Sequence, residues 1–196
     1  MSLVISARFI LASASPRRKE LLELTGLKFE VEPSNYEENI ESDLAPREIA
    51  LRISLEKAKI VANKHKNVLV IAADTFILFD GRRLGKPHME NEARKMLEIL
   101  NGKSHSVITG LTIIDTDNSK VLSRSVETKV YLRKLTPSEI DHYIKSTEPL
   151  DKAGAYAIQG LGAVIVEKIE GDYFNAVGLP LSTLTEALKE FGIHVL

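Results

Sequence analysis

Short unbroken apolar runs alternate with amphipathic stretches along the whole chain. Residues 9–12 (Phe9-Ile10-Leu11-Ala12) and 68–73 (Val68-Leu69-Val70-Ile71-Ala72-Ala73) are continuously apolar, as strands buried on both faces are. Residues 28–32 and 162–169 read as further strands. The run 76–79 reaches Asp80-Gly81, a hairpin-turn dipeptide. Residues 104–115 and 120–134 read as a long hairpin across Thr116-Asp117-Asn118-Ser119. Helical patterns fall between these runs. Ser15-Pro16 opens a first helix that Gly26 ends. Pro46 opens a second, reaching about Asn63 with Ile49, Ile53, Ile60 and Val61 on its apolar side. Helices at 91–100, at 181–191, and from the capping box Thr136-Pro137-Ser138-Glu139 to Ser146 complete the pattern. Interleaved helices, strands and hairpins predict an α/β fold on a mixed sheet rather than a purely parallel one.

The first helix carries an electrostatic oddity. Arg17 and Arg18 fall in its first turn, beside unpaired backbone N–H groups at the positive end of the helix dipole. Cations there cost a few tenths to about 1 kcal/mol each. Two arginines among free amides and serine hydroxyls suit an anion, above all a phosphate, held between them; a solvated surface pair is the plainer alternative.

Charge narrows the partner. A net charge of −1 argues against broad nucleic-acid binding, which needs a basic footprint, but leaves room for a local basic pocket. No apolar run is long enough to span a bilayer, and no secretory signal is visible, so a cytoplasmic location is expected. The absence of cysteine excludes disulfides, thiolate metal sites and cysteine nucleophiles. No linker or repeat divides the 196 residues, which read over 1–196 as one domain or as two lobes sharing a sheet.

Several residues have chemistry to offer. Asp74 follows the strand at 68–73, and ligands in open α/β sheets gather beyond the carboxyl ends of strands; a turn aspartate is the alternative. Glu37 and Glu38 are adjacent carboxylates on a polar loop, where solvated side chains are the commoner case. Gly85-Lys86-Pro87 resembles part of a phosphate loop but is a residue short, with Pro87 where a magnesium-binding hydroxyl is needed. Lys86 can still present a point charge to a phosphate. Gly160-Leu161-Gly162 lacks the third glycine of a dinucleotide fingerprint and precedes a strand instead of following one. Lys57 and Lys59 sit on the second helix, where lysines face solvent by default. His65, His88, His105, His142 and His194 show no metal-ligand spacing. The small-residue stretch 151–160 permits close backbone approach to a ligand, and Gln159 can pair with a base edge; a tight structural turn is the alternative. Clustered cations with a strand-end acid suit a divalent metal on a polyphosphate, with water as nucleophile.

Together these segments resemble the Maf family of nucleoside triphosphate pyrophosphatases, also known as septum-formation inhibitors. The resemblance rests on Leu11-Ala12-Ser13-Ala14-Ser15-Pro16-Arg17-Arg18, Glu37-Glu38, Glu56-Lys57-Ala58, Ala73-Asp74-Thr75 and Gly85-Lys86-Pro87. It continues through Glu148-Pro149-Leu150-Asp151-Lys152-Ala153-Gly154, Ile158-Gln159-Gly160 and Gly178-Leu179-Pro180. It implies hydrolysis of a nucleoside triphosphate between its α- and β-phosphates, with Mg2+ or Mn2+ as cofactor. It also implies an elongated two-lobed α/β fold similar to inosine triphosphate pyrophosphatases, with a central cleft. Position by position, Ser13, Arg17, Arg18, Lys57 and Lys86 resemble phosphate-binding residues. Glu38 and Asp74 resemble the acidic pair that positions metal and activates water, with Asp74 as general base or metal ligand. Thr75 and Gln159 match base-reading positions, in the form of the branch that takes dTTP and UTP. Modified pyrimidine nucleotides, a house-cleaning role and a homodimer are implied as well. Two other classes remain: a non-enzymatic nucleotide-binding regulator of cell division, and a nucleic-acid-binding protein, which the charge disfavours.

Overall fold

A computed structural model describes residues 7–36 and 44–196 of the chain. In order they form β1 (Arg8–Leu11), α1 (Pro16–Glu23), β2 (Phe29–Val31), α2 (Pro46–Ala62), β3 (Val68–Phe79) and β4 (Arg82–Leu84). There follow α3 (Glu90–Leu100), β5 (Ser104–Asp115), β6 (Val121–Leu132), α4 (Pro137–Lys145), β7 (Val166–Glu170), α5 (Tyr173–Val177) and α6 (Leu181–Lys189). Short 3-10 turns at Glu148–Asp151, Ala153–Ala155 and Gly160–Ile165 lie between α4 and β7.

Among the described residues the strands form one seven-stranded sheet, ordered β2-β1-β3-β5-β6-β7, with β4 paired to β3 off that path. β1 runs parallel to β2 and β3, whereas β3–β4 and β6–β7 are antiparallel. The predicted mixed α/β sheet is therefore the one that forms. Asp80 and Gly81 both adopt positive φ, as a two-residue type I′ hairpin turn requires, and Phe79 pairs with Arg82 across them.

Two strand expectations need correction. β3 does not stop before Asp74: it is one twelve-residue strand through Asp74 and Thr75 to Phe79. It changes neighbours along its length, pairing with β1 over Val68–Ile71 and with β4 over Ile77–Phe79, and the polar pair falls between. The expected strand at 162–169 begins only at Val166. Gly160, with φ +68°, starts a 3-10 turn that takes up the preceding residues.

The chain divides into two compact units. One comprises Asp74 and the described residues before it, Thr109–Val126 and Gly178–Leu196; the other comprises Thr75–Ile108 and Glu127–Val177. In the first, Ile10, Val70 and Ala72 of the sheet pack with Ala58 and Val61 of α2. The α2 backbone lies directly on β5. A Cβ on Gly110 would fall 2.0 Å from the Ala50 carbonyl oxygen and 2.9 Å from the Leu51 nitrogen, so only glycine fits. One helical turn along, the Ser54 hydroxyl donates to the Leu51 carbonyl at 2.9 Å and meets Thr112 Oγ1 at 2.9 Å. Thr112 in turn meets Ser123 Oγ at 2.8 Å. With the Ser54 proton committed to Leu51, Thr112 donates to Ser54 and Ser123 to Thr112. The chain of hydroxyls thus satisfies polar groups that are fully buried on α2 and β5.

In the second unit, Leu97 and Leu100 of α3, Val130 and Leu132 of β6, and Ile140 and Tyr143 of α4 belong to one buried cluster. The predicted capping box opens α4: Thr136 Oγ1 accepts from the Glu139 N–H at 3.3 Å and Glu139 Oε2 from the Thr136 N–H at 2.7 Å.

Gly110→Ala is expected to destabilise the protein by about 2–3 kcal/mol, because α2 must move off the sheet to admit one methyl group. Urea unfolding checks this: the midpoint should fall, and an unchanged midpoint would contradict the contact.

Candidate active site

The turn after β1 is built by its own serines. The Ser13 N–H donates to the Leu11 carbonyl at 3.0 Å, turning the chain sharply out of the strand. Ser13 is buried, and its Oγ accepts from the Ser15 N–H at 3.2 Å. Ser15 is the N-cap of α1 and Pro16 its first residue, as expected, but the Ser15 hydroxyl makes no capping bond. Ser13 supplies the local side-chain acceptor instead.

The two arginines divide. Arg18 is committed: its Nε donates to the Gly178 carbonyl at 2.9 Å and its Nη1 reaches Ser13 Oγ at 3.4 Å. Arg17 is half-buried, and its side chain makes no hydrogen bond or ion pair with another described residue. The cost of a cation at a helix start is therefore balanced by fixed acceptors for Arg18 and left unbalanced within the described protein for Arg17.

Lys57 overturns the expectation for a helix lysine. It projects from α2 to Asp74 on β3, with Nζ 2.5 Å from Oδ1, and the two side chains are only 14% and 7% exposed. The close seating of α2 at Gly110 and Ser54 is what carries Lys57 inward. Asp74 sits inside its strand, yet the strand-end argument survives in altered form. Parallel pairing of β1 and β3 ends at Leu11 with Ile71, and the Ala12 N–H adds one more bond to the Ile71 carbonyl at 2.8 Å. Ser13 and Asp74 follow that last pair on their two strands. Both lie on the carboxyl side of the parallel ladder, where α/β proteins gather ligands.

The second unit holds the other expected residues. Thr75 is half-buried on β3. Lys86 is exposed and makes no hydrogen bond or ion pair with another described residue. Its turn is held by the Gly85 carbonyl, which accepts from the Gly154 N–H at 2.9 Å. Gly154 has φ +67°, and a Cβ there would fall 2.5 Å from Ile77 Cδ1. Gln159 is half-buried, precedes the last 3-10 turn, and its side chain caps nothing. Glu38, and Glu37 beside it, lie outside the described residues.

Three polar features carry no signal in the sequence: the Gly178 carbonyl that holds Arg18, the Tyr143–Glu148 hydrogen bond and the burial of His105. A backbone oxygen leaves no residue-type signal. His105 looked like one of five scattered histidines, but it is buried, with Nε2 2.6 Å from the Tyr156 hydroxyl. Its Nδ1 is buried without a hydrogen-bond partner among the described residues. Burial pushes its pKa down to about 4.

No group of three or more metal-ligating side chains occurs among the described residues. The donor chemistry still fits a hard divalent cation carried by a polyphosphate, which takes one or two carboxylates plus phosphate oxygens, and Asp74 is such a carboxylate. No described helix is long and apolar enough to cross a membrane.

A family model described as Maf-like protein matches residues 8–191. The chain belongs to the Maf-like family. Among curated relatives of this Maf-like chain, a protein of Methanosarcina mazei named dTTP/UTP pyrophosphatase is 50% identical over 189 residues, 96% of each chain. One of Bacillus thuringiensis with the same name is 48% identical over 188 residues, covering 96% of this chain and 97% of that one. Among solved structures, a HAM1 protein from Coxiella burnetii is 17% identical with a TM-score of 0.52. It covers 94% of the Maf-like chain and 99% of its own, and shares the fold.

Two expectations follow for the Maf-like chain. Lys57→Met strands a buried carboxylate and should cost about 3–5 kcal/mol, much of it recovered when Asp74→Asn is added. Denaturant unfolding of Lys57→Met, Asp74→Asn and the double variant measures this, and additive losses would show that the pair is uncoupled. His105 stays neutral in the fold while the unfolded residue titrates near 6.5, so its contribution is complete above pH 6.5 and lost as pH falls toward 4. Thermal unfolding from pH 7 to 4.5 should therefore lose stability more steeply in the wild type than in His105→Asn; equal slopes would contradict it.

Proposed function

We propose that this chain is a nucleoside triphosphate pyrophosphatase that hydrolyses dTTP and UTP to the monophosphate and pyrophosphate. The observation that carries the reading is the buried Lys57–Asp74 pair beyond the β1–β3 parallel ladder, on the same side as the Ser13–Arg18 turn. The names of relatives at about half identity over nearly full length support the same activity and the same bases.

In this reading the substrate's phosphates meet Arg17, whose charge has no described partner, together with Ser13, Arg18, Lys57 and Lys86. These groups stabilise negative charge that grows on the pyrophosphate leaving group. A water oxygen attacks the α-phosphorus, the bond from that phosphorus to the bridging oxygen breaks, and pyrophosphate departs. Asp74 takes the proton of that water or holds a cation; Lys57 fixes the carboxylate's orientation and compensates its charge where little water reaches. Asp74 would hold a divalent cation, with Glu38 as second carboxylate, and the bound cation would supply neutralisation of the polyphosphate and polarisation of its phosphoryl oxygens. Thr75 and Gln159 read the base.

Incubation with a panel of canonical and 5-modified pyrimidine triphosphates, with Mg2+ or Mn2+, should release pyrophosphate fastest from dTTP, UTP and 5-methyl-UTP. Orthophosphate alone would contradict the reaction, and binding without any turnover would return the chain to the regulator class. Asp74→Asn should lower kcat by about a thousandfold while nucleotide binding persists. Arg17→Ala should weaken triphosphate binding far more than nucleoside binding, measured by calorimetry.

A further inference from the structure

The side chain proposed to read the base, Gln159, stands on an arch whose two feet are tied to the same pair of residues. Tyr143, buried on α4, accepts from the Ala157 N–H at 3.1 Å and donates its hydroxyl proton to Glu148 Oε1 at 2.8 Å. The same Glu148 carboxylate accepts from the Gly162 N–H at 2.8 Å through Oε1, and from the Leu161 N–H at 3.1 Å through Oε2. Residues 157 and 161–162 bracket Gln159. Its own side chain makes no hydrogen bond with another described residue.

Two glycines let the arch close. A Cβ on Gly160, at φ +68°, would fall 2.5 Å from Glu148 Oε2. A Cβ on Gly162 would fall 2.5 Å from the Tyr143 hydroxyl and 2.3 Å from the Ala157 carbonyl oxygen. Glu148 itself follows Thr147, a β-branched residue at φ +63°, a conformation that persists only where the surroundings over-determine it. The carboxylate is thus held from its own backbone as well as from the groups that donate to it.

We propose that Tyr143 and Glu148 are positioning residues for base selection, fixing the height and direction of Gln159 through the Ala157–Gly162 arch. The proposal rests on the reading of Gln159 as a base-recognition residue. Neither side chain is assigned a contact with substrate; they act through backbone amides. A site that hydrogen-bonds its substrate rejects analogues only when donors and acceptors are well placed, so loosening the arch erodes discrimination before it erodes chemistry.

The test compares wild type, Tyr143→Phe, Glu148→Gln and Gln159→Ala as full-length proteins, with kcat and KM measured for dTTP, UTP and dCTP. The first two changes are isosteric, and thermal unfolding confirms that each protein is folded. The expected result is a KM for dTTP and UTP raised roughly three- to tenfold, with kcat nearly unchanged, as loss of one hydrogen bond's net worth predicts. The preference for dTTP over dCTP should fall by a similar factor, while competitive inhibition by pyrophosphate stays constant. A merely structural role would lower kcat for every base alike and leave KM and preference unaltered; that outcome overturns the proposal. If Gln159→Ala changes the preference and the other two variants do not, the arch is not what places Gln159, and the base-reading role stands without it. If Gln159→Ala leaves the preference intact, that role falls and the proposal falls with it.

Discussion

A buried ion pair organises the candidate site. Lys57 and Asp74 are both largely withdrawn from water, and such a pair is costly to assemble unless its geometry is good and the surrounding fold holds it. Much of the first unit's architecture serves that end. The missing side chain at Gly110 seats α2 on β5, the Ser54–Thr112–Ser123 hydroxyls fix its register, and the next turn of the helix delivers Lys57. A hydrophobic pair of similar size would be at least as stable there, so stability alone does not account for buried charge at this place. The proposed function, in which this site gathers phosphates and activates water, supplies such a reason.

The same logic separates Arg17 from Arg18. Both stand where the helix dipole disfavours cations, yet Arg18 is fastened to Ser13 and to the Gly178 carbonyl, so it belongs partly to the scaffold. It ties the turn after β1 to the loop before α6, and thereby fixes the backbone from which Arg17 projects. In the proposed function, this rigid turn and its cation without a described partner would serve as a pre-formed anion site, binding with little reorganisation.

The sequence pattern revealed most of the fold. Apolar runs marked β1 and the start of β3, Asp80-Gly81 marked the β3–β4 hairpin, and Thr136 to Glu139 marked the cap of α4. It failed where tertiary contacts override local character. Asp74 and Thr75 look like the end of a strand because they are polar; Lys57 compensates the carboxylate, so the strand continues through them. Lys57 reads as solvent-facing because most helix lysines are, and the seating of α2 at Gly110 and Ser54 explains why this one is not. Residues 160–165 are apolar enough for a strand but are led by a left-handed glycine. The chemistry-bearing residue types were visible, but their sorting into fixed and uncommitted groups was not, because it depends on backbone oxygens and amides such as those of Gly178 and Ala157.

In the proposed reaction the carboxylate of Asp74 serves water attack at the α-phosphorus. The most direct measurement is hydrolysis of dTTP in 18O-labelled water, with mass analysis of both products, for wild type and for Asp74→Asn. Attack at the α-phosphorus puts one labelled oxygen in dTMP and none in pyrophosphate for the wild type, with labelled dTMP nearly absent for Asp74→Asn. Label in the pyrophosphate, or labelled dTMP forming at an undiminished rate in Asp74→Asn, would contradict it.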